Sequence, residues 1–352
     1  MNEIEKTEIR NYLSAAGFLL IATYLLYLAV SLGLNLLTSP GILSAGLALP
    51  LIILGVLLLV MRNRDLTAIT FLMFGLNLGI LYLRPEKVFP DNGILTVGVF
   101  FLILAAVLLT STEKKKYLLF LLPLFIGLEL IGGGLGIKSL AIFTAAIGGL
   151  LALYFALAVS AERCNLPCGT LLKSDAQTDF KVSGAVLGYL IFGLLLAVDV
   201  VYYFTNSVGT PLENVVAVKM MGGIMLCLVA VLLWTLGRMK YTPAMFFLMG
   251  VFFFLGSQIA NVTVAGDAFV VSEAFYLIAV MMAVVGIITL LKTESRVLPA
   301  VMILVTAVSY ALIGVFVVSL SPIQGVVALI PTLIAVYLAF AVFSQSKKLP
   351  LF

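Results

Sequence analysis

Residues 183–205 read SGAVLGYLIFGLLLAVDVVYYFT, twenty-three positions that carry one formal charge, Asp199. A helix rises about 1.5 Å per residue, so this stretch reaches about 35 Å and can cross a hydrocarbon core of roughly 30 Å. The rest of the chain is written the same way. Eleven further apolar runs, broken by charge, proline or glycine clusters, lie at about 12–36, 42–61, 66–83, 93–110, 117–137, 139–161, 215–236, 242–262, 270–291, 297–319 and 323–343. Of the 352 residues, 63% are hydrophobic and 10% charged, and the mean hydropathy is +1.25. A soluble domain is nearer half apolar and a quarter charged. Twelve spans of about 20 residues leave no room for a soluble catalytic or nucleic-acid-binding domain. The expected fold is all-α, a polytopic membrane protein of twelve transmembrane helices.

The scarce residues narrow the chemistry. There is no histidine, which removes the commonest metal ligand and the side chain best suited to carry protons near neutral pH. Cys164 and Cys168 stand three residues apart in a loop with no further ligands beside them, and Cys227 is alone. No enzyme activity, cofactor, metal or nucleic-acid partner is therefore expected. The opening MNEIEKTEIR is polar and charged, so no cleavable signal peptide is expected there.

If the twelve runs alternate sides, sixteen of the twenty Lys and Arg residues fall on one side. The other side holds only Arg84, Lys87, Lys138 and Lys219. By the positive-inside rule the basic side is cytoplasmic, and with it both termini and the segment 162–182. Charge runs such as Lys114-Lys115-Lys116 then mark topology and lipid headgroup contact.

The chain also reads as two copies of one unit, with offsets that only grow along the sequence. Gly17 meets Gly188 and Asn35 meets Asn206. Thr67, Phe71 and Gly75 meet Thr242, Phe246 and Gly250, and Thr112-Glu113 meets Thr293-Glu294. Tyr154, Ala156, Leu166 and Pro167 meet Tyr337, Ala339, Leu349 and Pro350. This divides the chain into a first six-helix repeat over 1–162, a cytoplasmic linker over 163–182 and a second repeat over 183–352. Six is even, so the two repeats run parallel rather than inverted.

Parallel six-helix halves fit a major-facilitator-like carrier or two fused channel-like units. The carrier class expects a glycine- and acid-bearing basic loop after the second helix. Arg62-Asn63-Arg64-Asp65 and Gly237-Arg238-Met239-Lys240 do not match it. The second half instead carries Ala185-Val186-Leu187-Gly188 and then Phe192-Gly193, with Gly222-Gly223 in the next helix. Phe71 with Phe74-Gly75, Arg296-Val297-Leu298, Tyr154-Phe155-Ala156 and Tyr337-Leu338-Ala339, each tyrosine run with a later Leu-Pro, complete the set. In these marks the chain resembles a tandem duplication of the acetate uptake transporter family, the succinate–acetate permease-like proteins. The family's Asn-Pro-Ala-Pro lacks its prolines in both halves.

The resemblance implies a pore in each half, narrowed by apolar side chains from the first, third and fifth helices. Carried over by position, the rings are Ile21, Phe74 and Leu124, and Phe192, Met249 and Val305. It also implies assembly, as a homo-oligomer in which three doubled chains form a pseudo-hexameric ring. A carboxylate stripped of water is costly unless paired. Lys138 and Lys219 sit toward the outer helix ends, so no fixed ion pair is expected at the constriction.

Polar residues inside the runs are the remaining candidates, because an acid at membrane depth is functional by default. They are Glu129 in the fifth run, its repeat mate Tyr310, Asp199 followed by Tyr202 and Tyr203, Asn77, and the pair Asn35 and Asn206. Gly75-x-x-x-Gly79 is a close-packing signal. The expectation is a plasma-membrane transporter or channel for small organic solutes, a short-chain monocarboxylate such as acetate foremost. The alternatives are a small-amide or other neutral-solute channel, a major-facilitator-like carrier, or a non-transporting scaffold or sensor.

Overall fold

The computed structural model describes residues 3–34, 41–61, 65–83, 92–110, 118–160, 180–205, 212–237, 239, 241–263, 268–292, 297–315 and 322–344. The described residues form twelve α-helices and no strand: α1 Glu3–Gly33, α2 Gly41–Met61, α3 Asp65–Leu83, α4 Asn92–Thr110, α5 Leu121–Gly134, α6 Lys138–Ser160, α7 Phe180–Phe204, α8 Leu212–Thr235, α9 Tyr241–Thr263, α10 Ala268–Lys292, α11 Val297–Val315 and α12 Pro322–Ser344. Eleven of them are long and apolar enough to cross a membrane. The chain is thus an all-helical, polytopic membrane protein. In a bilayer no water satisfies backbone amides, and helices do so within themselves.

Two boundaries differ from the sequence expectation for physical reasons. The fifth run was expected as one helix over 117–137, but a 3-10 turn at Leu118–Phe120 precedes a fourteen-residue α5. Pro123 has no N–H to bond back to Leu119, and its ring crowds that carbonyl, so the chain enters through the tighter turn. At the other end Gly136 adopts φ +72°. Its N–H donates to the Gly133 carbonyl and the Ile137 N–H donates to the Gly132 carbonyl. That paired closure stops the helix and needs a residue free to take positive φ. α1 also starts well before residue 12, at Glu3. The expected linker lies outside the described residues over 163–179, and α7 begins at its end.

The chain divides into two compact units, Met1–Leu83 with Val97–Ser183, and Arg84–Thr96 with Gly184–Phe352. In the first, α1 packs on α6 and α2, α2 on α3, and α5 on α6. In the second, α8 packs on α9, α10 on α11, and α11 on α12. With lipid as apolar as the core, association rests on close packing, and glycines supply it. A Cβ at Gly98 would lie 2.9 Å from the Gly127 carbonyl oxygen. A Cβ at Gly75 would lie 3.2 Å from the Ala48 carbonyl oxygen, and one at Gly250 2.7 Å from that of Gly223. Three buried threonines keep their hydroxyls within their own helix. Thr70, Thr306 and Thr332 donate to the carbonyls of Leu66, Met302 and Ala328.

Candidate functional site

The second unit holds a charged cluster inside its apolar packing. Lys219 on α8 places Nζ 2.7 Å from Asp199 Oδ1 on α7, with side chains 8% and 2% exposed. The same Nζ lies 5.2 Å from the ring centre of Tyr310 on α11, within reach of the negative face of the ring. Tyr310 is fully buried and packs edge-on against Phe253 of α9 at 6.0 Å and Phe275 of α10 at 5.9 Å. Gly256 makes room for it: a Cβ there would lie 3.0 Å from Tyr310 Cε1 and 3.2 Å from its hydroxyl. Asp199 Oδ2 and the Tyr310 hydroxyl are buried without a hydrogen-bond partner among the described residues. The pair is therefore only half satisfied. Removing either charge would strand the other in low dielectric, at a cost of about 3–5 kcal/mol.

α7 strings three features along one helix. At Asp199 it meets the ion pair. About 10 Å deeper at 1.5 Å per residue, Phe192 stacks edge-on against Phe253 at 5.4 Å. Phe253 therefore touches both Phe192 and Tyr310, linking the apolar ring candidate to the charged cluster. One turn further, Tyr189 borders a partly open pocket of about 100 Å³, shared with Thr242, Met245, Thr289 and Pro299 and rimmed by the exposed Tyr241, Leu248 and Ile288. Phe192 and Met249, between the cluster and the cavity, are sealed from any space a water molecule could enter.

The first unit has a different interior. Phe74 is fully buried between Tyr24 at 5.8 Å and Phe101 at 6.4 Å. Ile21 is equally sealed, and Asn77 is buried. Glu129 is buried on α5. Leu124 and Val305, the third members of the two candidate rings, are only half-buried. Asn35 and Asn206 lie outside the described residues, as do Cys164 and Cys168.

Of the polar candidates, the structure brings Asp199 and Tyr310 together around Lys219 and buries Glu129 and Asn77 separately. It adds Lys219, Phe253, Phe275 and Gly256, which sequence reasoning did not place at a site. The sequence expectation concerned the constriction, about 10 Å away along α7, and did not anticipate that Lys219, near the outer end of α8, is buried against Asp199. A usable signal was there: unlike charges near the adjoining ends of consecutive antiparallel spans fall at similar depth, roughly 8 and 10 Å in from their helix ends. Compared with protein-family models, with curated proteins and with solved structures, the chain matches none of them.

Proposed function

We propose that the chain is a membrane transporter or channel for small organic solutes, built as two parallel six-helix repeats, with a short-chain monocarboxylate such as acetate as its substrate. The observation that carries this reading is the order of features along α7. A half-satisfied ion pair, a sealed apolar plug and a cavity with two threonines succeed one another through the second unit. Ionisable groups are expensive at this depth, and they mark solute pathways. The plug excludes water in this state, so passage requires Phe192 and Met249 to move aside.

The repeat is supported by contacts that recur between matched residues. Gly17 abuts the ring of Phe71, and Gly188 abuts that of Phe246. Phe18 meets Phe71 at 5.1 Å and 82°, and Tyr189 meets Phe246 at 5.1 Å and 81°. The basic residues concentrated on one side of the spans favour cytoplasmic termini in a plasma membrane, and the family resemblance favours a ring of three chains.

The test is flux of labelled acetate into liposomes holding the purified protein, with glycerol and urea swelling measured alongside. Acetate entering faster than into empty vesicles supports the reading. Vesicles that admit none of the three solutes sink it and leave a scaffold or sensor. A second reading, a channel for small neutral solutes such as amides, is favoured by one observation. The cation nearest the plug is already neutralised by Asp199.

A further inference from the structure

We infer that the Asp199–Lys219–Tyr310 cluster is a recognition site for the donor–acceptor head of a small neutral solute, either a protonated carboxylic acid or a primary amide. The inference rests on the reading of the second unit as a solute path and names what that path selects. Two buried atoms have no partner among the described residues, Asp199 Oδ2 and the Tyr310 hydroxyl oxygen. The first can only accept while Asp199 is paired with Lys219. The second can donate. A –COOH or –CONH2 group offers the complement, an O–H or N–H toward Asp199 and a carbonyl oxygen toward Tyr310.

The rest of the cluster selects against charge. Lys219 has its nearest carboxylate at 2.7 Å and the Tyr310 ring face at 5.2 Å, so a free carboxylate arriving here meets a cation already matched. It also faces the negative Asp199. A neutral head avoids that repulsion and the cost of stripping water from an ion. The other ionisable side chains nearby are Tyr202 and Tyr203, on α7 with their rings 5.2 Å apart. The groups facing from α9 and α10 are Phe253 and Phe275. Tyr310 is therefore the donor of choice. Gly256 lets the α9 backbone pack directly against the Tyr310 ring and hydroxyl, where a Cβ would lie 3.0 and 3.2 Å away, so a solute head reaches the two atoms only if this packing loosens.

The experiment is a ligand-observed NMR titration of the intact, detergent-purified chain with acetamide and with acetate across pH, in parallel with liposome flux. Acetamide should bind independently of pH, and acetate only as its protonated fraction grows. Tyr310→Phe should weaken acetamide binding about tenfold, the worth of one hydrogen bond. Its thermal unfolding temperature should not fall, because the hydroxyl it removes has no hydrogen-bond partner among the described residues. Gly256→Ala should weaken binding in the same direction by crowding the ring. Saturable binding lost in both variants supports the site. Absence of binding in the wild type, with a buried water as the only partner of the two atoms, overturns it, as does unchanged binding in both variants. Binding without flux leaves the site standing and removes the pathway, whereas flux without binding does the reverse.

Discussion

The two units share packing contacts and differ in what they bury. In the first, Gly17 seats against Phe71 and Gly75 against the Ala48 carbonyl; in the second, Gly188 seats against Phe246 and Gly250 against the Gly223 carbonyl. The polar inserts do not follow. In the proposed repeat register, Tyr310 of the second unit answers to Glu129 of the first. Extending the same offsets, Lys219 answers to Ser44 and Asp199 to Leu28. The second unit therefore carries a paired lysine and aspartate under a tyrosine, and the first carries a buried acid, Glu129. Glycine contacts fix backbone distance and tolerate no side chain, whereas a buried polar group needs only local partners. Scaffold and chemistry can thus diverge separately within one chain.

The largest expected effect falls on the pair itself. Lys219→Met or Asp199→Leu alone should destabilise the protein by about 3–5 kcal/mol, because each leaves a buried charge uncompensated. The double variant should recover most of that loss, and Ser44→Ala in the first unit should change little. Thermal unfolding in detergent measures all four. Equal damage from the single and double variants would show that the pair is not coupled.

Next come the shared contacts. Gly17→Ala and Gly188→Ala each drive a methyl into a phenylalanine ring, and overpacking of this kind costs about 1–3 kcal/mol. The two losses should be alike. Gly33→Ala, with nothing near its Cβ, should be neutral or mildly stabilising. Unequal losses at Gly17 and Gly188 would break the parallel between the units.

Conduction provides a subtler discriminator. Phe192→Ala should raise solute flux several-fold, since it opens the plug between cluster and cavity. Ile21→Ala should alter flux less, because Leu28 and Ser44 stand in the first unit where Asp199 and Lys219 stand in the second. Equal changes in liposome flux would refute a functional difference between the units. The smallest effect belongs to Ser272, whose hydroxyl donates to the Gly314 carbonyl at 2.6 Å across α10 and α11. Ser272→Ala should cost about 1 kcal/mol in unfolding stability and leave flux unchanged.

Much of the architecture was legible because the bilayer imposes length. Every one of the twelve expected runs corresponds to a helix, including α12, which continues through Pro331. α5 was misjudged in extent because Pro123 and the glycine run shorten it without reducing its apolarity. The site was half legible. Asp199, Glu129 and Tyr310 stood out as polar letters in apolar text. Lys219 did not, because its nearness to a helix end suggested a solvated side chain.

Sequence alone determined that this is a helical membrane protein, where its apolar helices run, and which acids fall inside them. Span length and charge scarcity follow from the thickness and polarity of the bilayer and need no knowledge of neighbours. Only the tertiary structure decided which helices are central and which charges meet. The apolar stretches of α1 and α7 are similarly hydrophobic, yet 50% of one and 94% of the other is buried. A face turned to lipid is as apolar as one turned to protein, so no periodicity in the letters records the difference. The Asp199–Lys219 contact likewise depends on how α7 and α8 pack at that depth, which single-residue chemistry does not encode.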